Sequence, residues 1–405
     1  MCLLTENEEK RGDMEWSAEE IRRAIANNEI NAITLDTSVF DGNGNRFEHG
    51  LLPRIAQFNT TEVLFVLSDV VAGEVRRHVA QEAAEARSKV TAALKEVGKS
   101  WQVSNAQRDD ALELLFGKEK PDALAYRRFN AFVEAVGAVI ISSSPRVDVA
   151  RMLEDYFSSK PPFGKSALKK NEFPDAIALQ ALENWASEKG TVLLAVSRDA
   201  DWKRFASTSE HLVAIDDLAQ ALGYFHQNAN VACARLVERV ASGQLDLIDA
   251  IRGVIESEID RSVFIPEMGS AYDFEVDVFE AVVKAVELDT IAYLAGPFRV
   301  VDKPSETEIV VEAEVKVEIE VVADITFSVR DSVDKDQVPI GSARSKATTN
   351  RTFNVLLTFE GDLAADAQLI EAEVWVKGKS RYITVDFGEV SPQWDIEEEE
   401  EEEDE

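Results

Sequence analysis

Short apolar runs recur through the first half of the chain, and each stops on a hydroxyl or acidic residue. Ile33-Thr34-Leu35 ends on Asp36, the run from Glu62 to Leu67 on Ser68, Ala138 to Ile141 on Ser142, and Thr191 to Val196 on Ser197. Runs this short and this apolar suit strands covered on both faces, while the residues between them keep helical spacing. Strand and helix alternating through residue 222 predict an α/β domain with a mainly parallel sheet. Ligands of open parallel sheets gather at the carboxyl ends of strands, and Asp36 and Asp199 both lie at such ends. An Asp in that place is also a common loop cap, so Asp36 alone reads either way.

The connecting stretches carry further acids. Ser17-Ala-Glu-Glu20 has the form of a capping box and starts a short helix with Ile21, Ala24 and Ile25 on one face. Asp41-Gly-Asn-Gly-Asn45 resembles the start of a calcium loop. Arg46 stands where that loop needs Gly, however, and Leu52 where it needs a bidentate Glu, which leaves a flexible loop. After Ser68, residues Val70, Val71, Glu74, Val75 and His78 fall at one-turn spacings, so Glu74 sits on an apolar face. A carboxylate there must meet a cation or pair with a neighbour such as Arg76 or Arg77, because desolvating it alone is costly. From about 79 to 135 the chain is charged, Ala-rich and helical, with breaks expected near Gly98-Lys99 and at Pro121, and reads as a helical insertion. Tyr156 to Asp175 combines Pro161, Pro162 and Gly164 with Lys160, Lys165, Lys169 and Lys170, a basic loop without regular structure. Pro174 suits a first helical turn, where the positive end of the helix dipole favours the Asp175 carboxylate. Asp199 and Asp201 then follow the fourth strand, two residues apart.

Composition narrows the chemistry. The chain has 405 residues, 45% of them hydrophobic, enough for two or three domains. It has neither a bilayer-length apolar run nor the pattern of a secretory signal at its start, so a cytoplasmic location without a membrane partner is expected. Cys2 and Cys233 are isolated, and His49, His78, His211 and His226 are scattered, so any metal would be held by oxygen. The 43 basic and 76 acidic residues give a net charge of −33. Through residue 228 the count is 27 against 35, a net of −8, which leaves 16 against 41, a net of −25, for the rest. Ten of the acids fall in the tail Asp395 to Glu405, a solvated tail or an acidic arm that competes with nucleic acid. Between the halves, helices at about 230 to 241 and 245 to 258 read as a connector over 229–270, broken off from Pro266 to Ser270. Val311 to Val321 alternates apolar with charged residues, the period of a strand with one wet face. Strands at about 351 to 359, 367 to 376 and Arg381 to Phe387 extend it to a mainly antiparallel domain over 271–394. No constellation of acids, His or Ser marks this half for chemistry, and a binding or assembly role for a protein partner is expected.

Asp36, Glu74, Asp175 and Asp199, with Asp201 as a fifth, cannot crowd together without raising one another's pKa, and a divalent cation resolves the conflict. Oxygen-only ligation selects Mg²⁺ or Mn²⁺, and the matching chemistry is phosphodiester hydrolysis by metal-activated water. Thr37 and Ser197 would orient carboxylates, and Lys160, Lys165, Lys169 and Lys170 would hold a nucleic-acid backbone.

Leu35-Asp36-Thr37-Ser38 at a first strand end, Glu74 on the next helix, Pro174-Asp175-Ala176 at a helix start and Ser197-Arg-Asp199-Ala-Asp201-Trp202 after a strand resemble the acid order of PIN domains. The run from Tyr156 to Asp175, with Pro-Pro-Phe-Gly and Glu-Phe-Pro-Asp, is similar to a bacterial PIN-like family of largely unassigned function. That resemblance implies a three-layer α/β/α sandwich over roughly 30–228, preceded by an N-terminal extension over 1–29. It also implies a metal-dependent ribonuclease site acting on single-stranded RNA. The long insertion between Glu74 and Asp175 departs from compact PIN toxins and loosens the place of Glu74 in the set. A PIN-like module that binds RNA or a protein without turnover is the competing reading. A phosphatase of the haloacid-dehalogenase type would need a second Asp where Ser38 stands.

Overall fold

The computed structural model describes residues 16–101, 103–164, 172–226, 229–288, 298–330, 336–362, 365–375 and 382–393. Lys165, Lys169, Lys170 and the acidic tail lie outside these residues. The first half is built on strands β1 (Ile30–Leu35), β2 (Leu64–Ser68), β3 (Val139–Ile141), β4 (Val192–Val196) and β5 (Leu212–Ile215). All pair in parallel in the order β3-β2-β1-β4-β5. Helices α1 (Ala18–Ala26), α2 (Thr37–Gly42), α3 (Asp69–Trp101), α4 (Asn105–Phe116), α5 (Pro121–Ala135), α6 (Val149–Ser158), α7 (Phe173–Lys189), α8 (Ala200–Ala206) and α9 (Leu218–Tyr224) complete the α/β unit. Ile30, Ala32, Ile33 and Leu35 of β1 are all buried, as a strand covered by helices on both faces requires. From β1 the chain moves outward through β2 to β3, then returns across the sheet to β4 and β5. The reversal opens a crevice at the carboxyl ends of β1 and β4.

Local differences from the sequence reading have physical causes. Ser17 and Glu20 do form a reciprocal capping box at α1. The Asp41 to Asn45 segment is no flexible loop: Asn43 and Asn45 are buried, and Asn45 donates to Asp41 and Glu82. The break expected near Gly98-Lys99 comes slightly later: α3 runs on to Trp101 with Gly73 and Gly98 both inside it, each a modest cost to a helix of this length. Pro121 does open α5, whose Phe129 and Phe132 enter the main core with Phe40 and Phe47, so the insertion is part of the fold.

The second half holds α10 (Ala229–Ala241), α11 (Ile248–Ile259) and strands β6 (Val263–Gly269), β7 (Asp273–Leu288), β8 (Phe298–Asp302), β9 (Glu308–Arg330), β10 (Gln337–Glu360), β11 (Gln368–Trp375) and β12 (Tyr382–Glu389). The antiparallel sheet runs β11-β10-β9-β7, with β8 also on β9. The helices are not a connector. Leu247, Ile251, Ile255 and Ile259 recur every four residues and share one core with Val315, Val317, Phe353 and Leu357 of the sheet. Pro266 does not end the region but lies in β6, and β12 pairs with β6 in parallel rather than joining the antiparallel sheet. In this two-stranded ribbon a proline is tolerated because only one side of the strand is paired.

The two halves are fused through β8. Val301 of β8, Val310, Leu356 and Trp375 belong to the core of the α/β unit. Gln57 donates to the Val301 carbonyl at 2.9 Å and lies 2.7 Å from His226 Nε2, while Arg54 stands 3.7 Å from buried Asp302. A shared core predicts one cooperative unfolding transition. Val301→Ala should lower the stability of the whole chain by about 2 kcal/mol in a denaturant titration, read alike by far-UV circular dichroism and tryptophan emission. Two separated calorimetric transitions would contradict a fused architecture.

Candidate active site

Three helices begin at the crevice, and each carries a carboxylate in its cap or first turn. Asp36 follows β1 directly and caps α2, with Oδ2 accepting from the Ser38 amide and hydroxyl and from the Ser197 hydroxyl at 2.9 Å. Asp199 caps α8, accepting from the Asp201 amide at 2.7 Å. Asp175 lies in the first turn of α7 beside Pro174 and accepts from the Trp202 indole at 3.0 Å. Glu74 comes from the start of α3, on the partly buried side, and accepts from the Thr37 hydroxyl at 2.9 Å. Two of the four acids, Asp36 and Asp199, are thus also helix caps, and Asp175 lies in a first turn, where helix N-termini stabilise anions.

The electrostatics report how closely they meet. The Asp175 carboxyl is pushed up to about 7, first by burial and then by the charges of Asp36, Asp199 and Glu74, against the pull of the Trp202 hydrogen bond. Burial also raises Asp36, opposed by the bonds from Ser38 and Ser197. Burial grades outward from Asp36, which is buried, through half-buried Glu74 and Asp175 to exposed Asp199. Asp201 stands at the margin, paired with Arg204 one turn on, and is raised by burial in spite of that arginine. Thr37 and Ser197 each bond a carboxylate, to Glu74 and Asp36 respectively. Lys160 lies 3.7 Å from Asp155, and the other three lysines of its loop fall outside the described residues.

Four carboxylates with hydroxyl supports are a hard, all-oxygen donor set, which fits Mg²⁺ or Mn²⁺ by chemistry, and a cation would reverse the shift on Asp175. Among the described residues, however, no three acidic, histidine or cysteine side chains stand close enough to clasp an ion as placed. Asp36, Asp175 and Asp199 nevertheless sit at helix starts around one end of the sheet, and ligation distance depends on side-chain rotation. Two contributors were not visible in the sequence reading. Ser38 bonds the same Asp36 oxygen as Ser197 and accepts from the Arg198 amide at 3.2 Å, which ties α2 to the end of β4. Trp202, fully buried, fixes Asp175 from the neighbouring helix; its position three residues beyond Asp199 was the available signal.

Residues 33–202 match the family model for the PIN domain, a span that begins in β1 and ends on Trp202 and so includes every acid of the site. The α/β unit is a PIN-like domain. PIN domains generally use divalent metals and commonly bind nucleic acids. No curated protein and no solved structure matches the chain. No helix among the described residues is long and apolar enough to cross a membrane.

The raised Asp175 fixes a pH dependence. Its folded value of about 7 lies above the ordinary 3.8, so between those values the native state holds a proton that the unfolded chain has lost. Stability then falls as pH rises through this window and stays lower above it. In EDTA, Asp175→Asn keeps the acceptor for Trp202 and removes the charge. It should therefore stabilise the protein by about 2–4 kcal/mol at about pH 8 and by almost nothing at about pH 4, measured by denaturant titration. Equal stability of the two proteins at the higher pH would mean that the acids do not meet.

Proposed function

We propose that the protein is a metal-dependent nuclease that hydrolyses phosphodiester bonds in single-stranded RNA. The observation that carries this reading is the placement of Asp36, Asp175 and Asp199 at helix starts around the carboxyl ends of β1 and β4, inside the span that matches the PIN-domain model. Asp36, Glu74, Asp175 and Asp199 would hold Mg²⁺ or Mn²⁺, with Asp201 as an outer acid released from Arg204. When bound, the ion supplies an attacking hydroxide at neutral pH and neutralises charge developing on the phosphate.

The chain's own residues have separable tasks. Ser38 and Ser197 hold the Asp36 carboxylate in one orientation, and Thr37 does the same for Glu74. Trp202 closes the inner wall and excludes water behind Asp175, leaving approach from the exposed Asp199 side. Lys160, Lys165, Lys169 and Lys170 would hold the phosphate backbone of the RNA, and the β-rich half offers a surface for a protein partner.

Asp36→Asn and Asp175→Asn should each lower Mn²⁺-dependent cleavage of single-stranded RNA by about 10²-fold or more with the fold intact. Ser197→Ala, which removes only an orienting bond, should cost about 10- to 100-fold. The assay is single-turnover cleavage of a labelled oligonucleotide panel, with circular dichroism as the folding control. Unmutated protein with Mn²⁺ that binds RNA yet cleaves neither RNA nor DNA would leave a binding module in place of the enzyme.

A further inference from the structure

α8 has two faces with different chemistry. Its first turn and the inward Trp202 belong to the acid site, while Lys203, Arg204 and Ser207 line a cleft of about 850 Å³ on the other side. The open edge strand β5 gives the cleft its floor through Val213 and Ile215, and Tyr224 joins them from α9, buried beneath the Arg22 guanidinium at 5.1 Å. Half-buried Trp16 forms a wall, and Gln220 brings a side-chain amide to the lining. A second cleft, of about 740 Å³ along Pro145 to Ala150, lies against the far end of α7 and has no aromatic lining.

We infer that the Trp16 cleft is a base-binding subsite for single-stranded nucleic acid, in which a base next to the cleaved position stacks on Trp16 while its phosphate meets Lys203 and Arg204. This inference rests on the nuclease reading for the phrase "cleaved position" alone; the binding chemistry stands separately. Single strands are recognised by aromatic platforms flanked by cations, because every base has a stackable face and every linkage a negative charge. In a chain with a net charge of −33, a cleft whose lining sets Lys203 and Arg204 against a single acid, Asp216, beside an indole differs from the average surface. Both lining cations already have acid partners, Lys203 with Asp216 at 3.0 Å and Arg204 with Asp201. Lys203 and Asp216 are more than a third exposed, and pairs of that kind hold so weakly that a phosphate can displace the acid. Arg204 links the two places directly. Turning it to a phosphate frees Asp201 toward the metal-binding acids, so occupation of the cleft would complete the site.

The test measures binding of labelled ten-nucleotide RNA in EDTA by fluorescence anisotropy, single-stranded and as a duplex, beside Mn²⁺-dependent cleavage of the same strand. Trp16→Ala should weaken single-strand binding by about five- to 150-fold, the range for losing one stacked base, and leave duplex binding unchanged. Trp16→Phe should restore most of it, and Lys203→Gln should lower the log-log salt slope by about 0.7. Trp16 also touches the core, so if Trp16→Ala does not fold, Trp16→Phe and Lys203→Gln decide the matter. Cleavage with unaltered binding in the variants would overturn the subsite and leave the nuclease. Weakened binding with no cleavage in any protein would leave the subsite and overturn the nuclease. Wild-type protein that binds no single strand would overturn both.

Discussion

The burial of the Asp36 carboxylate is the constraint on which the rest of the α/β unit depends. A charge placed at the end of a fully buried strand must be compensated, and the chain does so with the Ser38 amide and hydroxyl from its own helix and the Ser197 hydroxyl from the adjacent strand. That arrangement requires β1 and β4 to be neighbours, which in turn requires the long return from β3 across the sheet. The same geometry brings the starts of α2, α7 and α8 to one crevice. Asp36 and Asp199 cap their helices separately, while burial first and then the charges of Asp36, Asp199 and Glu74 push Asp175 up to about 7. A fold that needed only caps would have no reason to face them toward one another, since each added charge destabilises the others.

The β-rich half supports this crevice from a distance. β8 inserts Val301 into the α/β core and meets the segment between α2 and β2 through Gln57 and Arg54. Asp302, buried beside Arg54, is pushed up to about 6 by burial although the arginine draws it down. Further ties at Arg299 to Asp217 and at the Gly50 amide to Glu373 fix α9 and the loop after α2. Gly223 allows a close approach here: a Cβ would stand 3.2 Å from the Val300 carbonyl oxygen, tighter than most such contacts. α9 supplies both this contact and Tyr224, so β8 also braces one wall of the Trp16 cleft.

Much of the α/β unit was legible because its signals are local. Apolar runs stopping at Asp36 and Ser197, Ser68 capping α3, and Pro174 opening α7 all appear where the spacing put them. β5 was passed over because Leu212–Ile215 is only four residues long, although it too stops on an acid, Asp216. The β-rich half was read less well for a different reason. β7 contains Ala-Val-Val-Lys-Ala-Val-Glu-Leu, a composition equally at home in a helix, and only pairing with β9 settles it. The pairing of β12 with β6, more than a hundred residues apart, has no local signature at all. In the site, residue types that could ligate were found by chemistry. The hydrogen bonds from Ser38 and Trp202 depend on how strands and helices are juxtaposed, which one sequence does not display.

If Asp36, Glu74, Asp175 and Asp199 hold one cation as proposed, an ion that binds them must displace the proton of Asp175. Calorimetric titration of Mn²⁺ into the protein in buffers of different ionisation enthalpy reads both the binding and the protons released. Binding should be accompanied by proton release that is substantial at about pH 6 and fades by about pH 8.5, as Asp175 loses its proton beforehand, with this component absent in Asp175→Asn. Mn²⁺ that fails to bind, or binds with the same proton release in wild type and Asp175→Asn at both pH values, would contradict the proposed site.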